Sequence, residues 1–266
     1  MRKITSFIIL SLWCNFFLTM QSQAQDELPP IQLDRPDLTE SPYVTPHKFL
    51  QFENGLLWSH ENVNTDSYTL PTILAKYGIS NRSELRLIVN YQLDKTRSNS
   101  MSGVPPIWVG FKSNLVTAKG LIPQLSFIGH LAIPNFASDS YRAKFIAPKF
   151  RFVMQHNISE KLSFSYNLGM EWDGFTADPF NIYTTTFGYS INDRLGCFIE
   201  MFGDGQFNQP FQHNVDGGFT FLVNRNAMFD ISSGIALQQN PRSFFLSCGY
   251  SFRVNTHHEP SVIFVK

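Results

Sequence analysis

The chain has 266 residues and carries equal numbers of acidic and basic side chains, 21 of each. Zero net charge argues against a nucleic-acid partner, which would call for a basic excess. Mean hydropathy is −0.13 and Phe is abundant at 26 residues, yet nothing after residue 24 is long and apolar enough to cross a bilayer as a helix.

The first 24 residues have the layout of an export signal. Arg2 and Lys3 form a positive start, Phe7 to Met20 an apolar stretch, and Ser22-Gln23-Ala24 the small residues that a signal peptidase reads, so cleavage is expected after Ala24. Cys14 follows Trp13 and lacks the small neighbour of a lipidation site. Residues 25–46 contain five prolines and can be neither helix nor central strand. This segment is expected to be a periplasmic extension. Asp34, Arg35, Asp37 and Glu40 would act as plug contacts in the mouth of the following domain, with a loose tail as the alternative.

From 47 to 254 the sequence alternates with a period of two. Residues 162–172 show it best: Leu162, Phe164, Tyr166, Leu168, Met170 and Trp172 alternate with Ser163, Ser165, Asn167, Gly169 and Glu171. In a strand this gives one apolar and one polar face. The pattern recurs in twelve predicted strands, at 48–59, 67–78, 83–94, 106–117, 123–134, 144–156, 162–172, 181–191, 195–203, 212–223, 227–238 and 243–254. Strand two is ambiguous, and Pro71 within it suggests a bulge or break. Tight turns rich in Asn, Asp, Ser and Gly fall at 78–82, 118–120, 157–161, 190–194 and 223–226. Longer connections are expected at 60–66, 95–105, 135–142, 173–180, 203–211 and 239–242, with Gly203-Asp204-Gly205 read as loop. Short and long connections therefore alternate. Behind an export signal, that predicts an all-β fold: a single antiparallel transmembrane barrel of about 12 strands, with short periplasmic turns and longer extracellular loops. A tail of 255–266 follows.

The polar phase collects the acids Glu53, Glu84, Glu171, Glu200, Asp216 and Asp230 and the bases Lys76, Arg86, Lys112, Lys149, Arg151 and Arg253. A midplane Arg or Lys facing lipid costs about 2–4 kcal/mol, so these are expected inside. Lumen-lining residues are taken as Glu53, Glu84, Arg86, Lys112, Lys149, Arg151, Glu171, Glu200, Asp216 and Asp230. A soluble sandwich would instead place them on its outer surface. Cys197 and Cys248 share the apolar phase on distant strands, which suits buried or lipid-facing thiols and not a disulfide or metal pair.

Catalytic candidates are weak. Ser126 and His130 share the inward phase but lie ~13 Å apart along one strand, too far for a hydrogen bond. His213 has no nucleophile near it, and no catalytic residues are expected. His257, His258 and Glu259 offer too few ligands for a metal site. No cofactor motif occurs.

Residues 34–42, D-R-P-D-L-T-E-S-P, followed by Q-F-E-N-G at 51–55, resemble the opening of the outer-membrane transporter family named after the meta-pathway of phenol degradation. Y-G-I-S-N-R-S-E-L-R-L (77–87) and I-N-D-R-L-G-C-F-I-E (191–200) are similar to its recurrent hairpins. The resemblance spans roughly 34–253. It implies residence in the outer membrane of a Gram-negative bacterium and passage of small molecules, with no catalytic residues to transfer. The expected partners are outer-membrane lipid and lipopolysaccharide, the barrel-assembly machinery and a small solute.

The expected function is therefore passive passage of small solutes, hydrophobic or aromatic ones among them, through a lumen of mixed charge. Twelve strands lie between the side-chain-filled barrel of about eight and the water-filled one of about sixteen. Two alternatives follow: a filled barrel with a structural or adhesion role, and a barrel lipid hydrolase.

Overall fold

The structure, a computed structural model, describes residues 28–35, 38–62, 64–207, 209–238 and 243–256. The export signal, Asp37, the connection at 239–242 and tail residues 257–266, with His257, His258 and Glu259, lie outside the described residues.

Among the described residues, thirteen strands follow one another. They are β1 (Phe49–Asn62), β2 (Thr65–Ser80), β3 (Ser83–Thr96), β4 (Ser100–Gly103), β5 (Ile107–Val116), β6 (Gln124–Ile133) and β7 (Ala147–Asn157). Then come β8 (Leu162–Glu171), β9 (Phe180–Ser190), β10 (Leu195–Gln206), β11 (Gln212–Asn224), β12 (Ala227–Ala236) and β13 (Phe244–Asn255). All pairings between them are antiparallel. β1 pairs with both β2 and β13, and β2 with β3, so twelve strands close a barrel. The thirteenth, β4, adds to the outer end of β3 opposite Gln92 to Lys95, beyond the stretch where β3 pairs with β5. Among the described residues the only helical elements are two 3-10 turns, Pro134–Phe136 and Asp139–Tyr141, and no helix could span a membrane.

Several boundaries differ from the sequence reading. Residues 60–66 were expected to be a long connection, but β1 and β2 stay paired to Asn62↔Thr65, with one register shift between His60 and Asn62. Polar residues there look like a loop, yet a strand that continues past the bilayer tolerates them on both faces. His60 Nδ1 lies 2.9 Å from Asp66 Oδ1, and Trp58 stacks on Tyr68. Gly203-Asp204-Gly205 likewise belongs to β10, opposite Tyr183, Ile182 and Asn181. The turn placed at 118–120 is a longer connection between Val116 and Gln124, closed by a Lys119↔Ile122 bridge.

Pro71 does mark a bulge. Gly55 and Leu57 of β1 oppose Thr72 and Thr69 of β2, so Leu70 and Pro71 together face one residue. The same step separates Thr72↔Asn90 from Thr69↔Gln92 on β3. The bulge shifts the side-chain phase of β2 by one, which is why its alternation could not be read.

The outer surface is apolar. Ile199, Ile231, Leu168 and Phe219 are 65%, 57%, 54% and 53% exposed, values expected of side chains that meet lipid. Aromatic groups gather towards the strand ends: Trp58, Tyr68 and Phe244 at one rim, Phe229, Tyr250 and Phe252 at the other. Such girdles mark the two interfaces of a membrane barrel. Cys248 is exposed on this surface and Cys197 half-buried, and both are free thiols.

Ile231→Arg, in the middle of β12 and facing outward, is expected to destabilise the barrel by about 2–4 kcal/mol in reversible urea unfolding from lipid vesicles. Ser165→Arg on the inner face is expected to change stability by only about 0.5 kcal/mol. Equal effects would contradict the assignment of faces.

Candidate functional site

Strand register brings charge together on the inner wall. Lys76 of β2 lies directly opposite Arg86 of β3, and Lys112 of β5 directly opposite Glu84 of β3. Like charges facing each other across a ladder repel. Glu53 and Glu84 supply two carboxylates against these three cations. The wall therefore lacks anions.

The missing carboxylates come from the N-terminal segment. Asp34 is buried and receives all three cations: Lys112 Nζ at 2.7 Å on Oδ1, and Lys76 Nζ at 3.0 Å and Arg86 Nη1 at 2.6 Å on Oδ2. Its backbone N–H donates to Glu53 Oε2 (2.9 Å), and the Ser41 N–H donates to its Oδ1 (2.9 Å). Arg86 also donates to Glu84 (2.9 Å) and to Glu40 (2.5 Å), and Lys76 meets Glu53 at 2.5 Å. Within this cluster Asp34, Lys76, Arg86, Lys112, Glu53 and Glu84 are each at most 1% exposed at the side chain. Burial of so many charges is tolerable only because each is paired.

The rest of the segment threads the lumen by further contacts. The Ile31 N–H donates to the Arg225 carbonyl (2.9 Å), and Arg253 donates to the Pro29 carbonyl. Arg35 spans from β2 to β12 and β13, donating to Thr72 (3.0 Å), Asp230 (3.3 Å) and Ser247 (2.8 Å). At the apex, the Leu38 N–H donates to Glu200 Oε2 (2.8 Å), the Thr39 hydroxyl bonds Glu200 and Thr184, and Arg151 donates to the Leu38 carbonyl (2.9 Å). The chain then returns: the Ser126 hydroxyl donates to the Pro42 carbonyl, and the Thr45 N–H donates to Glu84 (2.6 Å). Ile128 and Val153, on the lumen phase, are 1% and 0% exposed. A water-filled lumen would wet them; here it is filled.

Space remains at both ends of the segment, and the larger cavity reaches residues of β1 and of β5 to β13. One cavity of about 1120 Å³ is lined by Thr39 and Tyr43 of the segment and by small polar side chains such as Ser163, Ser165 and Thr186. A second, of about 360 Å³, lies beyond the apex, between Leu38 and the outer ends of β8 to β10. Leu38 and Thr39, with their bonds to Glu200 and Arg151, stand between the two.

All ten residues read as lumen-lining take the inner phase. Glu53, Glu84, Arg86 and Lys112 are locked to the segment, as is Glu200 through its apex; Arg151 reaches the apex too, and Asp230 meets Arg35. Lys149 lies 4.2 Å over the Trp108 ring. Glu171 and Asp216 do not join the charge cluster; Asp216 faces Glu200 across the ladder and has neither carboxylate oxygen hydrogen-bonded. Asp34, Arg35 and Glu40 reach deeper than the mouth: Glu200 is five residues inside β10 from Leu195. Sequence reasoning missed Asp204, hidden in a Gly-Asp-Gly run, and Thr39 and Gln51, neutral residues that become buried partners. Ser126 and His130 are turned to other tasks: His130 Nε2 accepts from Arg86 Nε (3.2 Å). His213 meets Tyr183 at 2.5 Å on the outer surface.

Burial would raise the Asp34 carboxyl, but Lys112, Lys76 and Arg86 overcome this and hold it well below the usual carboxylate range. Burial acts on Glu40 in the same sense, and Arg86 is the main influence bringing it down to about 2. A depressed folded-state value means stability that is present above the unfolded value and lost as pH falls through the folded one. Protection of the 28–46 backbone amides, taken relative to their intrinsic exchange rates, is therefore expected to be the same at pH 7 and pH 5 and to fall only as pH approaches about 2. Asp34→Ala leaves three buried cations short of an anion and is expected to loosen the segment by about 3–5 kcal/mol. Unchanged protection in that variant would contradict the network.

A profile of the family described as the MetA-pathway of phenol degradation matches residues 33–254, from just before Asp34 to the end of β13. No curated protein shows significant sequence similarity to the chain. The fold is similar to that of an outer membrane channel from Pseudomonas putida F1, at 12% identity over 84% of this chain and 100% of that one, with a TM-score of 0.65. It is also similar to the NanC porin, at 10% identity over 77% of this chain and 100% of the other, with a TM-score of 0.54. At these identities the likeness is one of fold. The chain belongs to the family of the MetA-pathway of phenol degradation, and its fold is that of an outer-membrane β-barrel.

Proposed function

We propose that the protein is a channel for passive passage of small solutes across the outer membrane of a Gram-negative bacterium, narrowed from within by residues 28–46 acting as a plug. The observation that carries this reading is the pair of lumen cavities, one below and one above Leu38 and Thr39. Movement of the apex away from Glu200 and Thr184 would join them into one path. Export with cleavage after Ala24, insertion by the barrel-assembly machinery and contact with lipopolysaccharide belong to the same reading. The barrel has no role as a lipid hydrolase in it.

Selectivity follows from the asymmetry of the walls. The segment neutralises the cationic wall of β2, β3 and β5, whereas the inner positions of β8 to β12 present Glu171, Glu200, Asp204, Asp216 and Asp230 and no Lys or Arg. An acidic ring or wall favours cations. A filled structural barrel is the second reading, favoured by the dry lumen at Ile128 and Val153.

In planar bilayers the wild-type protein is expected to give small conductance steps, with a reversal potential in a KCl gradient of the cation-preferring sign. Deleting 25–46 is expected to raise the conductance several-fold. No steps from either protein would favour the structural barrel, and an unchanged conductance on deletion would remove the plug.

A further inference from the structure

The smaller cavity has a chemistry of its own. It opens at the outer ends of β8, β9 and β10, and Leu38, 44% exposed, forms its floor. Phe180, Ile182 and Phe202 supply apolar walls. These point inward, against the general polarity of the inner phase: Phe180 and Ile182 continue the row of Thr184 and Thr186, and Phe202 sits between Glu200 and Asp204. Inward apolar groups at the dry centre of a plugged barrel help to fill it. Here they border open space of about 360 Å³, within the range of small-molecule sites, about 300–1,000 Å³.

Its charged groups are unequal in what they have left to offer. Arg151 is engaged by the Leu38 carbonyl (2.9 Å) and lies 4.0 Å from Glu40. The side chains of Glu171 and Asp204 make no hydrogen bond or close ion pair among the described residues. The cation opposite Glu171 in register is Lys149, which lies over the Trp108 ring, so that it acts on Glu171 through space without an ion-pair contact. The available charge in the cavity is therefore negative, and it is set beside aromatic faces. Carboxylates with aromatic rings suit an organic cation, because the ring face attracts positive charge while the apolar body leaves water.

We infer that this outer cavity is a binding site for a small organic cation with an apolar body, an aryl- or alkylammonium ion. Its ammonium group would lie between Glu171 and Asp204, and its body against Phe180, Ile182 and Phe202. The inference rests on the channel reading for its place on a transport path, since the site stands above the Leu38 constriction, but its binding chemistry is independent of conduction.

The test uses 2-phenylethylammonium as probe and phenylacetate, of like shape and opposite charge, as control. Both are titrated by calorimetry into the full-length protein in detergent, and both are added to the loop side of the protein in planar bilayers. The wild type is expected to bind the ammonium ion at least tenfold more tightly than phenylacetate and to show current block by the ammonium ion alone. Asp204→Asn and Glu171→Gln, which keep the side-chain shape, are each expected to weaken binding by a factor of five or more, with heat-modifiable migration on gels unchanged. Phenylacetate binding as tightly as the ammonium ion would overturn the inference, as would binding of the ammonium ion that neither variant weakens or no binding of it at all. Absence of conductance together with charge-selective binding would sink the channel reading and leave the site standing.

Discussion

Three cations, Lys76, Arg86 and Lys112, converge on one inner wall of the barrel, and the strands alone do not neutralise them. Asp34 meets all three, and Glu40 takes the outer face of Arg86. Isolated buried charges are among the most costly features a fold can carry, and breaking one such pair costs about 3–5 kcal/mol. The position of the N-terminal segment follows from this electrostatic demand. Once Asp34 is fixed, Arg35 is delivered to Asp230, Leu38 and Thr39 to Glu200, and Thr45 to Glu84.

The same constraint divides the lumen. Carboxylates from the segment are spent on the wall of β2, β3 and β5, so the opposite wall keeps its acids uncompensated except where Arg35 meets Asp230. Negative charge thus falls on one side, along β8 to β12, and the smaller cavity lies beside it. Twelve strands are enough to hold both a folded-in segment and two cavities. A narrower barrel would have filled with side chains, and a wider one would not have brought Asp34 within reach of three strands.

Much of the barrel was legible in the sequence because membrane strands must alternate: one face meets lipid and the other does not. Leu85, Leu87 and Tyr91 against Glu84 and Arg86 needed no partner to be read. Where a second influence entered, legibility failed. The bulge at Leu70 and Pro71 changed the phase of β2. Residues 60–62 and 65–66 are polar yet remain in β1 and β2, and Asp204 was masked by two flanking glycines that imitate turn chemistry. The charges of the segment were visible, but their depth was not, since it depends on which of the lumen cations lie side by side, and that is a property of register between strands distant in sequence.

The central claim is that the segment lies inside the barrel with its apex against β9. Thr39 and Thr184 hydroxyls are 2.6 Å apart. A protein with Thr39→Cys and Thr184→Cys, and with Cys197 and Cys248 changed to Ser, tests this most directly. Mild oxidation in native outer membranes is expected to join the two introduced thiols in most molecules, giving a reducible shift in gel mobility. A thiol pair that stays fully reactive towards a small alkylating reagent under the same oxidation would place the segment outside the lumen and contradict the account.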